Sequence, residues 1–172
     1  MRKYSLKEEI AEGFKTRIIG FLLSIFGFWM FNYLSGAGFL YYHYIIFGMV
    51  CAAGILFSPL YYVFKSYDKI LHFLSPFLLC FIIFFMMDKL QEAMYIKIFL
   101  TLTTAVLCIT GMEVGEYIID KALGWELQGV YVRNRSGILK LEVIQDKIDD
   151  AMQDILFGIA GCILFVLIKV LI

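Results

Sequence analysis

Gln145-Asp146-Lys147-Ile148-Asp149-Asp150-Ala151-Met152-Gln153-Asp154 is the stretch on which the reading of this chain turns. Four carboxylates fall within it, and the eighteen residues that follow carry one charge, Lys169. A run that long and that apolar is enough to cross a bilayer. Acid at that density immediately before a membrane span is costly unless something holds it there.

The rest of the composition agrees with a membrane setting. The chain has 172 residues, 62% of them hydrophobic, with a mean hydropathy of +0.83. Soluble domains run nearer half apolar, so an integral membrane protein is expected, folded as one domain over residues 1–172. The net charge of zero gives no bulk attraction to nucleic acid. Cys51, Cys80, Cys108 and Cys162 fall in four different apolar stretches without a CxxC, which reads as packing. The basic residues at the start are diluted by acids, and the apolar run after them is long for a signal peptide. An uncleaved first span is therefore expected.

Periodicity and breakers predict an all-α bundle of five spans, at about 18–34, 39–58, 70–87, 95–119 and 151–172. Leu6, Ile10, Phe14 and Ile18 recur at helical spacing, consistent with a short amphipathic lead-in. Ser35-Gly36-Ala37-Gly38 forms an uncharged turn. His43, among tyrosines, suits an aromatic interfacial belt. Pro76 in the third span leaves the carbonyl of His72 without its helical donor. In the loop at about 120–150, the runs 129–133 and 138–143 read as two strands around an Asn134-Arg135-Ser136-Gly137 turn, a β-hairpin.

With five crossings, twelve of the fifteen Lys and Arg lie on one side. The positive-inside rule then places the N-terminus and the long loop in the cytoplasm and the C-terminus outside. Asp68 and His72, which open the third span, come to the same face as Glu113, Glu116 and Asp120, which close the fourth. Asp146, Asp149, Asp150 and Asp154 open the fifth on that face too. At about 100° per residue, Glu113, Glu116 and Asp120 share one side of their helix. Thr104, Cys108, Gly111 and Gly115 line the opposite side, so the fourth helix is expected to pack on both faces. Asp146, Asp150 and Asp154 lie on a stripe that continues into Gly158 and Gly161, so these acids should point inward. Asp149 lies off it.

Converging carboxylates repel one another and need a counter-charge, from a metal ion, protons or lysine and arginine. Lys69, Lys121 and Lys147 are near in sequence. Carboxylates with one imidazole suit a divalent cation: Mg²⁺ or Mn²⁺ on oxygen, or Zn²⁺ or Fe²⁺ if His72 takes part. Such an ion can polarise a phosphoryl or carbonyl group and activate water. Arg133, Arg135, Lys140 and Lys147 could then engage phosphate. The plainer alternative is that these acids are solvated helix ends, capping the helix and complementing its dipole. It weighs most for Asp146 and Asp149. Nucleotide-binding, zincin and serine-triad motifs are absent from the sequence.

Asp68-Lys-Ile-Leu-His72-Phe73, Glu113-Val-Gly-Glu116 and Asp150-Ala-Met-Gln-Asp154, followed by Gly158 and Gly161, resemble in order and spacing three motifs of the YjdF-like polytopic membrane proteins. More distantly they resemble the VanZ-like proteins. Ala151 stands where the family commonly has threonine, which removes a hydroxyl. The resemblance covers residues 68–161. It implies positions and a topology but no reaction.

The leading expectation is a divalent-metal-dependent enzyme of the cytoplasmic membrane, acting on a phosphorylated or ester-containing lipid. Glu113, Glu116, Asp150 and Asp154, with Asp120 and Asp146 beside them, would hold the metal. Asp68 and His72 would handle a proton or complete the site. The alternatives are a cation- or proton-coupled transporter and a non-catalytic accessory protein. Membrane lipids are the expected partner, and the sequence leaves a homo-oligomer open.

Overall fold

The computed structural model describes residues 13–62, 64, 66–123, 130–133, 141–145 and 147–171. The amphipathic lead-in expected before Gly13, the Asn134–Gly137 turn, Arg135, Lys140 and Asp146 lie outside these. Among the described residues five α-helices form: α1 Phe14–Ser35, α2 Tyr41–Cys51, α3 Tyr67–Met87, α4 Met94–Leu123 and α5 Lys147–Leu171. Two short strands, β1 Val130–Arg133 and β2 Leu141–Gln145, are neighbours in a two-stranded sheet. The chain divides into two compact units, one holding α1 and α2 and running to Tyr67, the other holding α3 from Asp68 onward with α4 and α5.

In the first unit α1 ends where Gly36 turns left-handed at φ 64°, a conformation cheap only for glycine. The return into α2 is tied down by side chains. Asn32 Oδ1 accepts from the Phe39 amide at 2.8 Å, and Asn32 Nδ2 donates to the Tyr44 hydroxyl at 2.8 Å. His43 is buried, and its Nδ1 accepts from the Leu40 amide at 3.0 Å. It therefore caps the first turn of α2, with its ring against Phe39 and Tyr42. Phe28 stacks on Phe39 and Phe47 at 4.8 and 4.3 Å between ring centroids.

The second expected span is shorter than its apolar run. After Cys51 the chain widens into a π-helical stretch, Ala52–Leu56, and then tightens to 3₁₀ at Ser58–Tyr62. The Phe57 amide reaches back five residues to the Ala52 carbonyl, Tyr67 Oη donates to the Ala53 carbonyl at 2.8 Å, and Ser58 Oγ donates to the Ile55 carbonyl. Pro59, without an amide proton, cannot extend the α ladder. The apolar helix Tyr41–Leu56 thus spans about 24 Å at 1.5 Å per residue, short of the roughly 30 Å of a bilayer core. Instead of five full spans, the described residues hold four helices long and apolar enough to cross, α1, α3, α4 and α5, and one shorter apolar helix.

In the second unit α3 and α5 run in the same direction and α4 runs opposite. The contacts follow that register: His72 faces Asp154, Cys80 faces Cys162, and Phe81 and Phe84 meet Phe165. The core is Cys80, Phe84, Ala105, Ile109, Cys162 and Phe165. Gly161 brings α5 against the backbone of α3. A Cβ there would run into the Phe73 carbonyl and meet the Phe77 amide nitrogen at 3.3 Å, on either side of Pro76. Gly158 packs on Ile109 of α4, which a Cβ would meet at 2.8 Å.

The helix α4 differs from expectation. Its buried residues, Thr101, Ala105, Ile109, Glu113 and Asp120, form one stripe. Cys108 and Gly111, on the face expected to pack as well, are exposed, and a Cβ on Gly111 or Gly115 would meet nothing within 4 Å. Small residues permit close approach but do not compel it. Large apolar side chains such as Leu22, Phe26, Leu107 and Leu156 are more than half exposed. Water would disfavour so much uncovered apolar surface, whereas lipid accommodates it.

Candidate functional site

The register of α3, α4 and α5 brings two helix starts and one helix end together, and the acids gather there. Asp68 and His72 lie one turn apart on α3, at i and i+4, and so share a face. Their side chains meet, with Asp68 Oδ1 3.4 Å from His72 Nε2. Asp154 comes in from the second turn of α5 and places Oδ2 3.9 Å from the same ring nitrogen. Glu113, from α4, stands on the other side of the imidazole, with Oε1 3.7 Å from Nδ1. One histidine ring is thereby set among three carboxylates from three helices.

Asp154 is 2% exposed, and its Oδ1 is buried with no hydrogen bond from a described residue. Lys69 Nζ lies 3.6 Å from that atom and 3.2 Å from Asp150 Oδ1. So Lys69, whose neighbours both belong to the expected motifs, does reach inward. Asp150 is buried and sits one turn before Asp154 on the same stripe of α5. The group gathers four carboxylates around one ammonium and one imidazole. Carboxylates drawn together away from water are costly unless cations or protons offset them.

One atom each from Asp68, His72 and Asp154 lie within 4.8 Å of one another. Ligands about 2.1 Å from a shared ion stand roughly 3 to 4.2 Å apart. The 3.4 and 3.9 Å separations at His72 Nε2 fall inside that range. Two carboxylates and an imidazole form a donor set for a borderline or hard divalent ion. Glu113 on the far nitrogen is where a carboxylate orients a metal-binding histidine.

The other expected residues divide. Glu116 is half-buried, a turn beyond Glu113 on the same face. Asp120 lies two turns, about 10 Å, beyond Glu113 along the helix. It is bound at 2.7 Å by Lys147, so this acid and this expected phosphate contact hold each other. Asp149 is exposed in the first turn of α5, where an acid complements the helix dipole. Lys121 points its ammonium over the Tyr117 ring, 5.7 Å from the centroid. Arg133 is in β1, but its side chain, like Arg135, lies outside what the structure describes. Composition and spacing did not bring out the facing thiols Cys80 and Cys162, with sulfurs 3.7 Å apart. A signal existed: each stands eight residues after a site residue, His72 on α3 and Asp154 on α5.

The family model for predicted membrane proteins designated DUF2238 matches residues 10–172, nearly the whole chain. The chain belongs to the DUF2238 family of predicted membrane proteins. Membership covers all three motif-bearing helices of this DUF2238 chain and fits its apolar helices. It assigns no reaction. Nothing found supports the more distant likeness to VanZ-like proteins. No curated protein and no solved structure matches the chain significantly.

Proposed function

We propose that this DUF2238 protein is a divalent-metal-dependent membrane enzyme that hydrolyses a phosphorylated or ester-containing lipid near the headgroups. The observation that carries this reading is the convergence of one atom each from Asp68, His72 and Asp154 within 4.8 Å, with the Asp154 carboxylate buried. Asp68, His72 and Asp154 would hold the ion, with Glu113 beside the other ring nitrogen of His72. Asp68 and His72 are then ligands first. Asp150 and Glu116 surround the site without joining the triplet.

When bound, a divalent ion on three protein ligands keeps open positions, where it polarises a phosphoryl or carbonyl oxygen and activates water. Glu113, with Oε1 3.7 Å from Nδ1, would favour a proton on that nitrogen and leave Nε2 for the ion. Asp68 and Asp154 lower the charge at the reacting centre. Depth supports a headgroup substrate: Asp68 and Asp154 belong to the first two turns of apolar helices. Beyond them lies the hydrophobic cluster of Cys80, Phe84, Ile109 and Phe165. The charge distribution of the loops supports a cytoplasmic face and placement in the cell membrane.

The test is stoichiometric metal binding by the purified protein, read by Mn²⁺ electron paramagnetic resonance and by Co²⁺ absorption, followed by turnover of phospholipid vesicles. One ion per chain, lost in both Asp154→Asn and His72→Gln, is expected. Metal binding unchanged in those two variants would sink the site, and binding without lipid turnover would sink the enzyme.

A further inference from the structure

Lys69 occupies a position that the metal reading does not use. Its ammonium stands 3.2 Å from Asp150 Oδ1 and 3.6 Å from Asp154 Oδ1, and its side chain is 15% exposed against 3% for Asp154. The two carboxylates are one turn apart on α5, so a single ammonium can bridge them, and it lies closer to Asp150. Asp154 thereby has two claimants. One oxygen faces Lys69 and the other faces His72 Nε2. Any cation bound between Asp154 and His72 is within Coulombic reach of the ammonium and repelled by it.

We infer that Asp150 is a positioning residue that holds the Lys69 ammonium back from Asp154, and that Lys69 is a tethered cation competing with the metal for the Asp154 carboxylate. This rests on the metal reading above. It assigns Asp150 a role different from ligation. Asp150 matters because it occupies Lys69, not because it attracts the metal. Lys69 in turn sets the threshold of divalent ion at which the site fills, because it offsets part of the carboxylate charge without metal.

The two roles give opposite signs. Removing the ammonium leaves Asp154 to the metal alone and removes a repulsive charge, so Lys69→Met should bind Mn²⁺ more tightly, by about tenfold for a coupling of ordinary size. Removing the Asp150 charge while keeping Lys69 frees the ammonium to close on Asp154, so Asp150→Asn should weaken binding by a similar factor. In Lys69→Met/Asp150→Asn the second change should have little left to act on, and binding should stay close to that of Lys69→Met. A general loss of packing weakens binding and cannot produce the tightening. Lys69→Arg, which keeps the charge, should stay near wild type.

The experiment is a Mn²⁺ titration of the wild type and these four variants, all full-length, in detergent, with thermal melts alongside. Tightening in Lys69→Met together with non-additivity in the double variant supports the inference. Equal weakening by Asp150→Asn with and without Lys69 overturns it, because Asp150 is then only one more attracting charge. Weaker binding in Lys69→Met also overturns it. Wild-type protein that binds no Mn²⁺ overturns the metal reading itself, a result distinct from both.

Discussion

The imidazole of His72 divides the acids into two kinds according to which nitrogen they face. Asp68 and Asp154 lie toward Nε2 and Glu113 toward Nδ1. A carboxylate on the far nitrogen orients and polarises the ring, and losing such a partner typically costs about 10- to 100-fold in metal affinity. Glu113→Gln should therefore weaken Mn²⁺ binding by about that factor while leaving one ion per chain, whereas Asp154→Asn should abolish the site. If Glu113→Gln abolishes binding as completely as Asp154→Asn, Glu113 is itself a ligand. Spacing could not separate these roles. It placed Glu113, Asp150 and Asp154 on inward faces, but which ring nitrogen each meets depends on the axial register of three helices. Asp120 shows the same limit. It lies on the acidic face as expected, but Lys147 binds it at 2.7 Å, a pairing between helix ends 27 residues apart that no local pattern encodes.

Helix α5 joins its partners through glycine, and its two contacts differ in what a methyl group would strike. At Gly161 the obstacle is the α3 backbone, the Phe73 carbonyl and the Phe77 amide, and backbone cannot step aside. At Gly158 it is the Ile109 side chain, which has rotamers to use. Gly161→Ala should thus destabilise by about 1–3 kcal/mol, the ordinary cost of overpacking, and Gly158→Ala by less. Thermal melting in detergent reads the order directly. A larger loss at Gly158 would mean that α5 does not pack on α3 as described. The motif containing these glycines was legible in sequence as a close-packing stripe, and α5 uses it. The comparable stripe on α4 was equally legible and goes unused, since Cys108 and Gly111 are exposed. That contrast has a chemical readout. A small membrane-permeant maleimide should modify Cys108 first, the half-buried Cys51 later, and the buried Cys80 and Cys162 last. Early modification of Cys80 or Cys162 would contradict the packing of α3 on α5.

Across the whole chain, the number of crossings decides which side the site faces. Hydropathy alone read residues 39–58 as a full span because it registers apolar content and not helix type. The π turn at Ala52–Leu56 and the 3₁₀ turn after it come from backbone and hydroxyl hydrogen bonds that such a measure does not contain. A helix about 6 Å shorter than the bilayer core can still cross by local thinning, at fractions of a kcal/mol per Å and hence a few kcal/mol in all. Against that stands the segregation of twelve of fifteen Lys and Arg to one side, which holds only if Tyr41–Leu56 crosses. Without that crossing, the loop between α4 and α5 lies on the side opposite the N-terminus, and its five basic residues from Lys121 to Lys147 violate the positive-inside rule. The charge pattern should prevail. A cysteine placed at Ser136 in a chain lacking the other four should resist a membrane-impermeant maleimide in intact cells and react once the membrane is permeabilised. Labelling in intact cells would place the loop, and with it the Asp68–His72–Asp154 site, on the outer face. An enzyme there would meet outer-leaflet lipid, and the substrate search would move to that leaflet.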